Sequence, residues 1–255
     1  MYTRDQRDDL RSALIAAARN DARITGAALT GSAAGGAEDQ WSDIDLAFGI
    51  GDAGKLPAAM ADWTERMYRD HGAVHHFDVN RGAWIYRVFL LDIGLQVDLA
   101  FVPAGEFGAR APTFRLLFGD AVERPHASPP APSDLIGLAW VYALHARGCI
   151  GRGNLWQAEY MISLMRDEVL ALACLRHGLP AVEGKGMDRL PPSMTALLQG
   201  ALVGHLDQPT LGRAFRATTD ALIQEIRYVD SSLAARLERV LLQMPGDALD
   251  TRASG

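Results

Sequence analysis

Three aspartates and a Gly-Ser pair are the residues of this chain best suited to chemistry. Gly31-Ser32 closes the run Ala27-Ala28-Leu29-Thr30, and after a polar spacer Ser42-Asp43-Ile44-Asp45-Leu46 sets two carboxylates at alternate positions. Asp98 stands well downstream, inside the apolar run Leu95-Gln96-Val97-Asp98-Leu99-Ala100-Phe101-Val102. Strand side chains alternate between faces, so Asp43 and Asp45 point the same way. Neighbouring carboxylates each resist ionising beside the other, and a divalent cation removes that conflict. Mg²⁺ takes oxygen ligands and keeps its other positions for water and substrate phosphates. A glycine permits close backbone approach, and a serine hydroxyl can donate to a phosphate oxygen. Gly31 and Ser32 are therefore candidate nucleotide-binding residues, and Asp43, Asp45 and Asp98 candidate metal ligands and catalytic groups in a nucleotidyl-transfer site.

Each piece has a plainer reading. A Gly-Ser after a strand is commonly a turn. A buried carboxylate needs a partner, and Asp98 would have one in a salt bridge to an arginine such as Arg87. Asp-x-Asp is the rarer signal, because Asp is depleted in strands.

The elements that must hold these residues can be read from periodicity. Residues 3–20 have an apolar helical stripe of Leu10, Ala13, Leu14, Ala17 and Ala18. Strands are expected over 24–29 and 43–48, a helix over 55–70, and three strands over 74–79, 84–91 and 95–102, with Asp92-Ile93-Gly94 turning between the last two. Pro125, Pro129, Pro130 and Pro132 mark a linker over about 124–133. Beyond it only helices are expected: one from Ser133 as cap to about 147, one from Asn154 as cap to about 177, then 193–206, 210–227 and 231–242. The tail, 247–255, is expected to be disordered. The fold class is thus α+β, an N-terminal α/β domain with a mixed sheet over 1–124 followed by an all-helical domain over 133–246.

Composition narrows the partners. The 255 residues carry 31 acidic and 25 basic side chains, a net charge of −6. That balance disfavours nucleic acid, which calls for a basic footprint, and suits a cationic substrate. The N-terminus is charged and has no signal-like apolar core, and no apolar run is long enough to span a membrane, so a cytoplasmic protein is expected. Cys149 and Cys174 lie in apolar helical sequence without metal spacing and read as small buried thiols.

Taken together, Gly31, Ser32, Asp43, Asp45 and Asp98 resemble the motif of the nucleotidyltransferase superfamily that includes DNA polymerase beta: Gly-Ser, a spacer, Asp-x-Asp and a later strand Asp. The motif covers roughly residues 24–102. Chain length and a helical second half are similar to bacterial adenylyltransferases acting on aminoglycosides or lincosamides. The resemblance implies a Mg²⁺-dependent transfer of AMP or another nucleoside monophosphate from a triphosphate, ATP first, to a hydroxyl of a small cationic acceptor, with pyrophosphate released. The spacer over 33–42, rich in Ala and Gly and holding Glu38, Asp39 and Trp41, departs from the pattern where the triphosphate would be seated.

The helical half offers two further candidates. Glu159 shares a polar stripe with Ser163 and Arg166, and would contact the acceptor's amine or deprotonate its hydroxyl; the plain reading is a solvated helix edge. Lys185, in Gly184-Lys185-Gly186, would reach the phosphates; the plain reading is a surface turn. His75 and His76 are adjacent on a strand and cannot face one site together. Trp41 and Trp156 could stack on a base or sugar, but core packing is the expectation. Two other functions remain open: a nucleotidyltransferase that modifies a protein, and a non-catalytic nucleotide-binding module.

Overall fold

The computed structural model describes residues 2–126 and 128–250, apart from the side chains of Asp247, Leu249 and Asp250. The chain divides into two compact units, Met1–Ala127 and Ser128–Gly255. The first is built on a six-stranded mixed sheet and the second is helical, which is the α+β class.

Helix α1 (Arg4–Arg19) opens the first unit. Thr3 starts it through a capping box: the Thr3 hydroxyl accepts from the Gln6 amide, and the Gln6 side chain accepts from the Thr3 amide. Strand β1 (Ile24–Thr30) leads into the single turn α2 (Gly31–Ala34), and β2 (Ile44–Ile50) follows the spacer. Helix α3 (Leu56–Asp70) then precedes β3 (Ala73–Arg81), β4 (Trp84–Leu91) and β5 (Gln96–Pro103). One strand escapes the periodicity reading, β6 (Phe114–Gly119), which pairs antiparallel with β1. The sheet order is β3-β4-β5-β2-β1-β6. Every pairing is antiparallel except β2 with β5.

The two faces of this sheet do different work. Ile44, Leu46, Phe48 and Ile50 of β2 and Val97, Leu99 and Phe101 of β5 face α1 and α3, in a core that takes in Leu14, Met60, Trp63 and Met67. Phe48 lies 4.8 Å from Trp63 and 5.6 Å from Phe101, centroid to centroid. The opposite face carries Asp45 and Ala47 of β2, and Asp98 and Ala100 of β5. Its small cluster of Ala28, Ala47, Trp84, Ala100 and Val102 is covered by Phe107. Phe107 seats there because Gly26 and Gly49 lack side chains; a Cβ at either would come within 2.8 to 2.9 Å of its ring.

The second unit comprises α4 (Pro132–Arg152), α5 (Leu155–Arg176), α6 (Pro192–Gln199), α7 (Gln208–Val229) and α8 (Ser231–Asp250). Neither expected cap acts as one: α4 starts with Pro132 at its first turn behind Ala131, and Asn154 makes no side-chain capping bond. Asp207, by contrast, caps α7 by accepting from the Thr210 amide at 2.7 Å. Helix α8 runs through Pro245 to Asp250, so part of the expected tail is helical; residues 251–255 lie outside the described ones. Cys149 and Cys174 are buried free thiols in this core, and burial pushes both thiol pKa values up. No helix among the described residues is long and apolar enough to cross a membrane.

An ion pair with one buried partner, Glu225, ties α5 to α7. Arg176 donates from Nε and Nη2 to Glu225 at 3.0 and 2.8 Å, and Glu225 is only 1% exposed. The same guanidinium lies 4.2 Å from the centre of the Tyr228 ring. Removing one partner of such a pair leaves an uncompensated buried charge. Arg176→Met is therefore expected to cost about 3 kcal/mol in denaturant unfolding, and Arg176→Met with Glu225→Leu to recover much of it. Equal losses in the single and double variants would show that packing, not the stranded carboxylate, carries the effect.

Candidate active site

Asp45 and Asp98 meet because β2 and β5 run parallel and in register, with Asp45 opposite Asp98. Directly opposed residues of neighbouring strands share a face, so both carboxylates leave the sheet on the side opposite α1 and α3. Asp43 sits one residue ahead of β2 and adds a third. One oxygen from each of the three lies within 4.8 Å of the others, and all three residues are half-buried. This is a hard, all-oxygen donor set on rigid strands, and it fits a divalent cation such as Mg²⁺.

Gly31 contributes in an unexpected way. It sits at φ +58°, where glycine is favoured. A Cβ there would fall 1.9 Å from Asp45 Oδ2. The glycine therefore makes room for the Asp45 carboxylate itself, and α2 starts against the carboxylate cluster. Ser32 follows in that turn, half-buried.

The spacer is anchored from α1. Arg7 is 1% exposed, and its Nη1 donates to the carbonyls of Asp39 and Ser42, the latter at 3.3 Å. Tyr2 also donates to the Ser42 carbonyl, at 3.1 Å. Arg11 pairs with Glu38. These contacts hold the chain just before Asp43. Sequence reading passed over Arg7, since an arginine in a charged helix start gives no sign of burial.

Gln96 is the other residue missed. Its Nε2 donates to Asp98 Oδ1 at 3.0 Å and to Asp43 Oδ2 at 3.4 Å. It lies two residues before Asp98 on one strand face, and that spacing was the available signal. Arg87 is not the partner of Asp98. It points to the helix side, donating to Asp78 at 2.7 Å twice and to Thr64 of α3 at 2.6 Å. Burial pushes the Asp98 carboxyl up to about 6; the Gln96 hydrogen bond pulls it down and the Asp43 charge adds to the rise.

The remaining sequence candidates have these surroundings. Glu159 lies half-buried on α5 and accepts from the Ser163 hydroxyl at 2.6 Å, while Arg166 of the same stripe donates to the Ala201 carbonyl at 3.4 Å. Lys185 is exposed and pairs with Glu183 at 2.6 Å. Neither tryptophan is in a core: Trp41 is 68% and Trp156 77% exposed. His76 meets the Tyr68 hydroxyl at 2.9 Å through Nδ1, on the edge strand β3.

No protein-family model matches the chain, and no curated protein does. Among solved structures it is similar to that of an aminoglycoside 6-adenyltransferase from Bacillus subtilis, with 14% identity, 94% of this chain and 98% of that one covered, and a TM-score of 0.38.

Two outcomes follow from the geometry. Gly31→Ala should lose about 1–3 kcal/mol in denaturant unfolding and weaken Mg²⁺ binding in calorimetry; unchanged values would mean that Asp45 retreats freely. The second concerns pH in the metal-free protein. Asp98 holds its proton up to about 6 when folded but only to its ordinary 3.8 when unfolded. Between those values the folded state binds more protons, so stability falls as pH rises through that window. Melting temperatures from pH 3.5 to 7 should show this decline in wild type and a shallower one in Asp98→Asn. Parallel curves would place the pH response elsewhere.

Proposed function

We propose that the chain is a nucleotidyltransferase that moves the monophosphate of a nucleoside triphosphate, ATP in the first instance, onto a hydroxyl of a small cationic acceptor. The observation that carries this reading is the convergence of Asp43, Asp45 and Asp98 on one open sheet face, with Gly31 packed against Asp45. Divalent cations bound by such carboxylates can stabilise the attacking and leaving oxygens of an in-line displacement.

The chain's own residues take the remaining roles. Asp43 and Asp45, at the head of β2, would hold the metal ion. Asp98, across the strand pair, accepts the proton of the attacking hydroxyl as its oxygen bonds to the α-phosphorus and the bond to pyrophosphate breaks. Ser32 donates to a phosphate oxygen. Glu159 is assigned to the acceptor's amine, and Lys185 to the polyphosphate after exchanging its Glu183 partner. An acidic site in an acidic chain attracts amine-bearing molecules. A polyhydroxylated polyamine of the aminoglycoside kind combines that charge with the hydroxyl the reaction consumes.

Pyrophosphate release with ATP, GTP, CTP and UTP against a panel of aminoglycosides and lincosamides tests the reading. Turnover should require Mg²⁺, stop on EDTA, and fall on the order of a thousandfold in Asp45→Asn while the fold persists. Undiminished turnover in Asp45→Asn, or none with any pairing in wild type, would remove the assignment.

A further inference from the structure

The sheet face bearing the carboxylates also bears a small cavity with one cationic side chain in its lining. Beyond Asp45 and Asp98 the same face carries Ala47, Ala100 and Ala28, buried with Trp84, Val102 and Phe107. A cavity of about 100 Å³ opens on this face, lined among others by Thr30, Trp84, Tyr86, Arg110, Thr113 and Phe114. Strand register ties it to the site. Thr30 lies one position past the Leu29–Leu46 pair, beside Asp45, and Tyr86 is opposite Ala100, one step along the face from Asp98. The aromatic rings form a rigid wall: Trp84 stacks on Tyr86 at 5.8 Å, and Phe107 meets Phe114 at 5.6 Å.

Arg110 gives the cavity its charge. Its guanidinium is exposed, and Nη1 donates to the Arg81 carbonyl at 2.9 Å. Among the described residues Arg110 has no carboxylate partner, as is also true of Arg4, Arg19, Arg66, Arg81 and Arg115 of this unit, and of these Arg110 alone lines the cavity. Tyr86 and Arg110 both line the cavity; burial raises the Tyr86 phenol pKa, and the charges of Arg110 and Arg81 act against that rise. A triphosphate seated at the three aspartates has more negative charge than those ligands can tolerate without cations. A guanidinium fork matches phosphate oxygens in pairs.

Building on the proposed reaction, we propose that this cavity seats the β- and γ-phosphates of the triphosphate, with Arg110 as their cation and the Thr30 and Thr113 hydroxyls as donors. The leaving pyrophosphate then departs toward positive charge and away from the aspartates.

Calorimetry with Mg²⁺–ATP, Mg²⁺–tripolyphosphate and adenosine tests this in wild type, Arg110→Gln and Arg110→Lys. In Arg110→Gln both phosphate ligands should bind about tenfold weaker or worse, the usual loss for a charged hydrogen bond, with adenosine unaffected. Arg110→Lys should fall between, and melting temperatures should be unchanged because the side chain is exposed. Wild-type affinity for both phosphate ligands in Arg110→Gln overturns the inference and leaves the reaction standing. Weaker adenosine binding with tripolyphosphate spared assigns the cavity to the base and also overturns it. Failure of the wild-type protein to bind Mg²⁺–ATP overturns the reaction itself, and this inference with it.

Discussion

The opposition of Asp45 and Asp98 across the parallel β2–β5 pair is the constraint on which the rest of the first unit depends. Parallel neighbours cannot be joined by a tight turn. The chain leaves β2, forms α3, β3 and β4, and only then returns as β5. That long connection is what lets residues so far apart in sequence share one row of one sheet face. Like charges in that row oppose folding, and Gln96 offsets part of the conflict by donating to both Asp43 and Asp98. The favourable side of the balance lies beneath them, where Phe48, Trp63 and Phe101 pack on the other face of the same two strands.

The supports around the cluster divide the work between rigid and fitted parts. The strands set Asp45 and Asp98. The spacer that delivers Asp43 is irregular, and Arg7 holds it through backbone carbonyls while its own stem is buried. A guanidinium suits this task because one planar group can serve several carbonyls. Gly31 completes the fit by omission, since any side chain there would occupy the space of the Asp45 carboxylate. Rigidity below and close fit above are what a site needs to hold reacting groups in place.

Much of this was legible in the residues. Alternation gave β1, β2, β4 and β5 nearly to their ends, and the rarity of Asp in strands singled out the carboxylates that the fold brings together. The losses have physical causes. Strand β6, Phe114-Arg115-Leu116-Leu117-Phe118-Gly119, has no regular alternation and draws its stability from pairing with β1, a tertiary fact. The helix starts near 133 and at 154 fall where expected, but neither Ser133 nor Asn154 makes a capping bond: proline in the first turn starts α4, and the left-handed Gly153 precedes α5. Helix α8 passes through Pro245, which a local rule would treat as a stop. Trp41 and Trp156 were expected in a core on residue type alone, and type says nothing of whether a core is near. Arg7 and Gln96 are ordinary polar residues whose importance comes from what lies opposite them.

One register sets both the core and the carboxylate cluster of this sheet. Along β2 and β5, residues of one parity are Leu46, Phe48, Leu99 and Phe101, and those of the other are Asp45, Ala47, Asp98 and Ala100. A one-residue slip of a strand sends its entire apolar set to the other face. Here such a slip would drive an aspartate in among Trp63 and Met67 and put a phenylalanine on the open face. The cost of burying that charge unpaired makes the slip prohibitive. The carboxylates that strain the correct fold therefore also exclude the wrong one. Chain and site need not be specified separately, because a sequence that packs α1 and α3 against this sheet has already brought Asp45 and Asp98 together.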